Sequence, residues 1–196
     1  MARLALFVDG SGMFYAQRDN GWHLDYKRVL EYFADNRELY GAFYFTATPT
    51  SADPERMEKY RRFRRALIGI GYSVIDKEVK TVRDRETGQL RLKGNLDIEL
   101  AFRLLTTADG WDELILMGGD SDFVPILEHL RNVGKSVVIV GRRESTALEV
   151  INVANRFINL NEIRSRVEKI RPRAAEPRAE GDYPPADPPR SDPEGS

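Results

Sequence analysis

The chain has 196 residues, and its 30 lysine and arginine residues against 31 aspartate and glutamate residues give a formal net charge of −1. This length suits a single domain, or a single domain with an appendage. Because there is no cysteine, disulfide frameworks, thiolate metal clusters and cysteine nucleophiles are excluded, and two histidines argue against a histidine-rich zinc site. The balanced charge offers no overall argument for nucleic-acid binding.

The sequence also lacks the marks of a membrane or secreted protein. No apolar run approaches the roughly 20 residues that a membrane span requires. The N-terminus enters a strand-like run within three residues and does not have the layout of a signal peptide. We therefore expect a cytoplasmic protein with no membrane partner.

The composition changes sharply near residue 170. Residues 171–196 hold seven of the ten prolines, four arginines and six acidic residues, and they contain no Ile, Leu, Val, Phe or Trp. Such a segment cannot bury enough apolar surface to offset the entropy cost of ordering it. The sequence therefore predicts a folded domain over residues 1–168 and a disordered tail over 169–196.

The folded part alternates between strand-like and helix-like segments. A continuous apolar run at 4–8 predicts a first strand that is buried on both faces. The predicted elements that follow are helix 25–35, strand 39–48, helix 54–70, strand 72–76, a β-hairpin or arm over 78–92 that turns at 86–89, helix 96–106, strand 114–117, helix 123–133, strand 136–140, helix 145–154, strand 157–160 and a final helix. This alternation predicts an α/β fold of three layers, Rossmann-like, with a mostly parallel central sheet. In such sheets ligands bind beyond the carboxyl ends of the strands.

Two predicted strands deliver aspartate residues to that edge. Asp9 follows the first strand and precedes a glycine, and Asp120 and Asp122 follow the central strand after two glycines. Glycine lets the backbone turn tightly and approach a ligand closely. Each position also has a structural alternative, because Asp before Gly is a common turn and Asp is a common helix cap.

A further acid, Asp97, lies near the start of the predicted helix 96–106, on the same stripe as Leu100 and Leu104. A carboxylate on the face that meets the sheet needs a cation, a cap or a site to hold it. A favourable interaction with the helix dipole is the structural alternative. Four carboxylates from three segments repel one another unless a cation binds, and an oxygen-only ligand set favours Mg²⁺ or Mn²⁺. Such ions suit phosphodiester hydrolysis, because they activate water and neutralise charge on the leaving oxygen.

Three motifs surround these acids: FVDGS at 7–11, KGNLDIE at 93–99 and GDSDFVP at 119–125. Together they resemble the NYN domain, and more narrowly the LabA-like branch of the PIN-like nuclease superfamily. The resemblance covers about residues 1–165. It implies a PIN-like fold with a central parallel sheet, an acidic metal site and ribonuclease activity.

The resemblance also implies roles for individual residues. The acids that it matches to the catalytic and metal-binding positions are Asp9, Asp97, Asp120 and Asp122. The polar residues that it places beside them, facing the substrate, are Ser11, Lys93, Asn95 and Ser121. One position departs from the family, since Gly12 stands where Asn is usual, and this removes one polar side chain from the rim of the predicted site.

Basic residues offer further substrate contacts. Residues 56–65 carry six cations, of which Arg61, Arg62 and Arg65 are predicted to share the outer side of a helix, either as phosphate contacts or as a solvated face. A second basic stretch follows the predicted arm over 77–93, which alternatively serves as a homodimer contact. Arg142 follows strand 136–140, where it is expected to hold a phosphate or to counter the acids.

Two functions are consistent with these observations. The first is a divalent-metal-dependent nuclease, with Mg²⁺ or Mn²⁺ as cofactor and single-stranded or structured RNA as substrate. The second is a non-catalytic RNA-binding or protein-interaction module on the same fold. A dinucleotide site is disfavoured because Tyr15 replaces the third glycine of its fingerprint, and an Asp9 phosphatase would require a second Asp where Ser11 stands. Glu99 is predicted to pair with Arg103 on the helix surface rather than to join the acids.

Overall fold

The computed structural model describes residues 2–49, 53–78, 80–83, 90–93 and 96–170, with the backbone alone described in 80–83 and 90–93. The predicted turn at 86–89 lies outside the described residues. So do Asn95, the side chain of Lys93 and the segment 171–196. The division into a domain of 168 residues and a disordered tail therefore stays a prediction.

Six parallel strands form the central sheet. In chain order they are β1 (Arg3–Asp9), β2 (Glu38–Thr48), β3 (Tyr72–Glu78), β6 (Glu113–Met117), β7 (Ser136–Gly141) and β8 (Arg156–Asn159). Across the sheet their order is β3-β2-β1-β6-β7-β8. A separate antiparallel pair, β4 (Lys80–Arg83) and β5 (Leu90–Lys93), confirms the two strands of the predicted hairpin.

Helices cover both faces of the sheet. They are α1 (Gly10–Asn20), α2 (Tyr26–Ala34), α3 (Pro54–Ile70), α4 (Asp97–Thr107), α5 (Val124–Asn132), α6 (Leu148–Val153) and the single turn α7 (Arg164–Val167). Short 3₁₀ turns lie at Ala108–Gly110, Ser121–Phe123 and Arg143–Ser145. The predicted helix 123–133 is thus a 3₁₀ turn followed by α5.

The layers follow from the side-chain alternation of β1. Leu4, Leu6 and Val8 point into a core shared with α1, α2, α3 and α7, whereas Ala5 and Phe7 point into a core shared with α4, α5 and α6. Because successive side chains of a strand point to opposite faces, an unbroken apolar run is what a strand buried on both sides requires. The three-layer α/β prediction is confirmed.

The sequence analysis did not predict α1, which begins directly after β1. Gly10 and Gly12 lower the helix propensity of its first turn. Two local features outweigh them: the Asp9 side chain accepts a hydrogen bond from the Ser11 N–H at 3.0 Å, and Gly21 ends the helix with a left-handed backbone at φ 70°. Asp9 is therefore the N-cap of a helix rather than a turn residue.

The direction of chain growth reverses between β1 and β6. From β1 the sheet is extended by β2 and β3 on one side, and from β6 it is extended by β7 and β8 on the other. At such a switch point the loops after adjacent strands diverge to opposite faces and leave a crevice at the carboxyl edge. In the described part of the chain, none of the helices has the combined length and hydropathy that crossing a bilayer requires.

Candidate functional site

A cavity of about 700 Å³ opens at the switch point. Its walls come from the loops after β1, β6 and β7, from the end of β2, from one side of α1 and from the start of α4. Three of the predicted acids line it, namely Asp9, Asp97 and Asp120. Ligands bind beyond the carboxyl ends of parallel strands. The crevice lies at this edge of the sheet, which is also where the sequence predicts the acids.

Three carboxylates converge beside this cavity. One carboxylate oxygen from each of Asp97, Asp120 and Asp122 lies within 4.8 Å of the other two. Asp97 and Asp120 are half-buried, whereas Asp122 is exposed. The three side chains come from the first turn of α4 and from the loop after β6, two segments that the fold brings together at one edge.

Local backbone geometry sets the position of each acid. The Asp120 side chain accepts a hydrogen bond from the Asp122 N–H at 3.0 Å and so begins the 3₁₀ turn after β6. Asp97 opens α4, whose Leu100 and Leu104 are fully buried against the sheet. Asp120 is thus a helix cap, as the structural alternative predicted, and it is also a member of the carboxylate cluster.

Asp9 lies beside the three acids rather than among them. Burial raises the pKa of its carboxyl group, backbone N–H groups of Gly12 and Ser11 lower it, and the charges of Asp97 and Asp120 raise it again, so that the pKa moves from 3.8 to about 6. A buried carboxylate close to other negative charges is disfavoured. Burial is thus the main cause of the raised pKa of Asp9, and the neighbouring charges of Asp97 and Asp120 add to it.

The three clustered acids fit a hard divalent cation. One carboxylate oxygen from each of the three acids lies close enough to the other two that all three residues could hold one ion. The charges of Asp97 and Asp120 also help to raise the pKa of Asp9, so their negative charge acts at its carboxyl group. Mg²⁺ and Mn²⁺ prefer this donor chemistry.

The absence of a side chain at Gly12 leaves room for the Asp9 carboxylate. A Cβ atom at residue 12 would lie 2.6 Å from Asp9 Oδ2, so any larger residue here displaces the carboxylate. An Asn at residue 12, which the family resemblance leads one to expect, would therefore require the Asp9 carboxylate to move.

Replacing Asp9 with Asn is expected to stabilise the protein at neutral pH in the absence of metal. The amide keeps the cap but carries no charge to bury. Because the folded-state pKa of about 6 lies above 3.8, the proton on Asp9 contributes stability that is complete below about pH 4 and is lost as the pH rises through 6. The full shift corresponds to about 3 kcal/mol, and burying an amide offsets part of it, so we expect a gain of about 2 kcal/mol.

Urea titrations in EDTA at about pH 7 and about pH 4 measure this difference, which should appear only at the higher pH. The control is Asp25→Asn, which changes the N-cap of α2 and should not stabilise. A variant no more stable than the wild type at neutral pH contradicts the electrostatic account of Asp9.

The end of the cavity opposite the acids carries mixed charges. Arg142 contacts Asp19 at 3.7 Å and Glu144 at 3.3 Å, and Arg18 contacts Asp19 at 3.1 Å. The Arg18 guanidinium lies 4.8 Å from the centre of the Tyr15 ring. All five side chains line the cavity, and they join the C-terminal half of α1 to the loop after β7.

The structure brings some of the predicted substrate residues to the cavity and leaves others away from it. Ser11, Ser121 and Arg142 line its wall. The outer arginines of α3 are exposed as predicted, but they do not belong to the cavity; these are Arg61, Arg62 and Arg65. Arg142 was predicted to hold a phosphate or to counter the predicted site acids, and in the structure it instead contacts Asp19 and Glu144.

The predicted pair of Glu99 with Arg103 is wrong. Glu99 contacts Lys77 of β3 at 2.6 Å, and the Arg103 guanidinium lies over the Phe43 ring at 5.5 Å. The spacing along α4 allows the local pair. Strands β3 and β2 offer Glu99 and Arg103 partners of their own, which a spacing rule for a single helix does not consider.

Four charged or aromatic residues at this end of the cavity were not predicted from the sequence, namely Tyr15, Arg18, Asp19 and Glu144. The first three lie on α1, and recognising that helix would have revealed them. Ser11, Tyr15 and Asp19 are spaced four residues apart, which places them on one face of a helix.

A parallel α/β sheet with a carboxylate cluster at its switch point defines a nuclease-like α/β domain. The chain belongs to the NYN domain family, whose model matches residues 3–161. Over 171 residues it is 40% identical to the low amplitude and bright protein LabA of Synechococcus elongatus, a match that covers 86% of this chain and 89% of LabA. The crystal structure of a protein of unknown function from Vibrio parahaemolyticus has a similar fold, with a TM-score of 0.67 at 24% identity, over 81% of this chain and 93% of that one. The predicted family and fold are confirmed.

Proposed function

We propose that this protein is a divalent-metal-dependent ribonuclease. The convergence of Asp97, Asp120 and Asp122 on the switch-point cavity of a NYN domain carries the proposal. The same arrangement supports the predicted cofactor, Mg²⁺ or Mn²⁺, since oxygen ligands alone are present in the cluster.

The residues of the site have different proposed roles in phosphodiester hydrolysis. Asp97, Asp120 and Asp122 hold the cation, which when bound supplies Lewis-acid activation and charge neutralisation. Asp9, with a pKa near neutrality, is able to take up and release a proton at its carboxyl group, which is the property a general base requires. The hydroxyl groups of Ser11 and Ser121 face the cavity as hydrogen-bond partners for the substrate.

The exposed arginines of α3 are proposed as a secondary contact for RNA. Arg62 and Arg65 share one acidic neighbour, Glu58, at 3.9 Å and 3.6 Å. Exposed pairs of this kind contribute little to stability and exchange readily for phosphate. The substrate roles of Lys93 and Asn95 stay predictions that the family resemblance implies. The cytoplasmic location and the homodimer stay predictions from the sequence.

A non-catalytic RNA-binding or protein-interaction module is the second candidate function. The observation that favours it is Gly12, which stands where the family resemblance leads one to expect Asn and so leaves the rim of the site without that polar side chain. Binding of RNA without turnover under either metal is the outcome that selects this alternative.

The test is cleavage of a labelled single-stranded RNA of mixed sequence by the purified full chain. We expect cleavage with Mg²⁺ or Mn²⁺, no cleavage in EDTA, and slower or no cleavage of the matching DNA. Metal binding is measured separately by calorimetry without RNA. If no RNA is cut under either metal although the metal binds, the nuclease proposal fails.

A further inference from the structure

The far end of the cavity combines two cations with two anions. Arg18 and Asp19 belong to the last turns of α1, and Arg142 and Glu144 follow β7. Asp19 follows Asp9, the N-cap of α1, by ten positions, which is about 15 Å along the helix axis. The cavity therefore has an acidic end and a separate end whose formal charge is zero.

This charge balance favours a nucleobase over a phosphate. A phosphate group next to Asp19 and Glu144 would be repelled by both, whereas the edge of a base presents donors and acceptors side by side. Side chains that recognise a base edge must therefore include acceptors as well as donors. The pairing of each arginine here with a carboxylate supplies both.

The combination points to guanine in particular. Guanine accepts hydrogen bonds at O6 and N7, for which arginine is the commonest partner, and it donates from N1–H and N2–H₂, for which a carboxylate is a suitable acceptor. Arg142 lies within 3.7 Å of both Asp19 and Glu144, so the two kinds of group are adjacent. Adenine has no equivalent pair of adjacent donors.

A stacking surface lies beside these groups. The Arg18 guanidinium rests on the Tyr15 ring with 4.8 Å between its centre and the ring centroid. Bases in single-stranded RNA stack both on aromatic rings and on arginine planes. The Arg18 side chain is 58% exposed, so its outer surface is open to a ligand.

The existing ion pairs do not prevent such binding. The Glu144 side chain is 58% exposed and that of Asp19 is 35% exposed. Exposed pairs contribute little to stability, and hydrogen bonds to a base can replace them.

We propose that Arg18, Asp19, Arg142 and Glu144 form a guanine-binding subsite with Tyr15 beneath the stacking plane. The placement of this base next to the cleaved bond rests on the proposed nuclease function. The subsite itself rests on the cavity alone. It makes the protein a base-selective binder of single-stranded RNA.

The test measures binding of guanosine 5′-monophosphate and adenosine 5′-monophosphate by calorimetry to the full chain in EDTA, where no cleavage takes place. We expect the guanine nucleotide to bind about 10- to 100-fold more tightly. Arg142→Ala and Asp19→Asn should each remove most of this preference. Arg143→Ala, at an exposed neighbour outside the cavity wall, should leave it unchanged.

Three outcomes overturn the subsite: equal binding of the two nucleotides, a preference unaffected by Arg142→Ala, or inorganic phosphate binding as tightly as the guanine nucleotide. The last would identify a phosphate site instead. If the protein prefers guanine but cuts no RNA, the subsite proposal stands and the nuclease proposal fails. If it cuts RNA without preferring either nucleotide, the nuclease proposal stands and the subsite proposal fails.

Discussion

Replacing Asp120 with Asn is expected to lower the rate of RNA cleavage at least about 100-fold, since losses of that size follow even from changes behind a metal ligand. Asp120 is the central acid of the site, because it belongs to the three-carboxylate cluster and also raises the pKa of Asp9. The amide preserves the size of the side chain and is able to accept the hydrogen bond from the Asp122 N–H. The fold is therefore expected to persist while the cluster loses one charge.

The measurement is the single-turnover cleavage rate in Mn²⁺, together with metal affinity by calorimetry. Asp109→Asn makes the same chemical change at an exposed residue beyond the C-terminal end of α4, and it should leave both quantities unchanged. Cleavage by Asp120→Asn at the wild-type rate would reject the metal mechanism, provided that circular dichroism shows both variants to be folded.

Replacing Gly10 with Ala is expected to reduce the free energy of unfolding by about 3 kcal/mol or more. A Cβ atom at this position would lie 2.5 Å from the carbonyl oxygen of Phe45 and 2.8 Å from a carbon of the Tyr44 ring. The backbone of β2 is held by strands on both sides, so α1 must move away instead. Because Asp9 caps that helix, we also expect cleavage to fall.

Gly69→Ala is the matched control for this prediction. Gly69 also lies within a helix, α3, but a Cβ atom there meets nothing within 4 Å. Alanine is the better helix former, so this variant should gain roughly 0.5–1 kcal/mol. Urea unfolding of the two variants should therefore give shifts of opposite sign. Equal stabilisation of both would show that the close approach of Gly10 to β2 is incorrect.

The sequence predicted the strands and the acids for the same physical reason. A strand buried on both faces must be a run of apolar residues, and the first polar residues after it must lie at the edge of the sheet, as Asp9 and Asp120 do. Asp97 was predicted from its place on a buried stripe, and the structure brings it to the same cluster.

The features that were missed depend on partners far away in the chain. Helix α1 has two glycines in its first turn, and its N-terminus packs against the end of β2, which no local pattern encodes. The contact of Arg142 with Asp19 joins the loop after β7 to helix α1, two segments that only the sheet order makes neighbours. Likewise, Lys77 reaches Glu99 across elements, and a rule confined to one helix selects the wrong partner.

The sheet order has a consequence for when the acidic cluster forms. The first strand of the sequence is the third in the sheet, and its neighbour β6 begins only at Glu113. Asp120 and Asp122 follow that strand. During synthesis Asp97 therefore precedes the two acids with which it clusters, and the cluster forms only when the distant strands β1 and β6 have paired, which is a slow class of folding step.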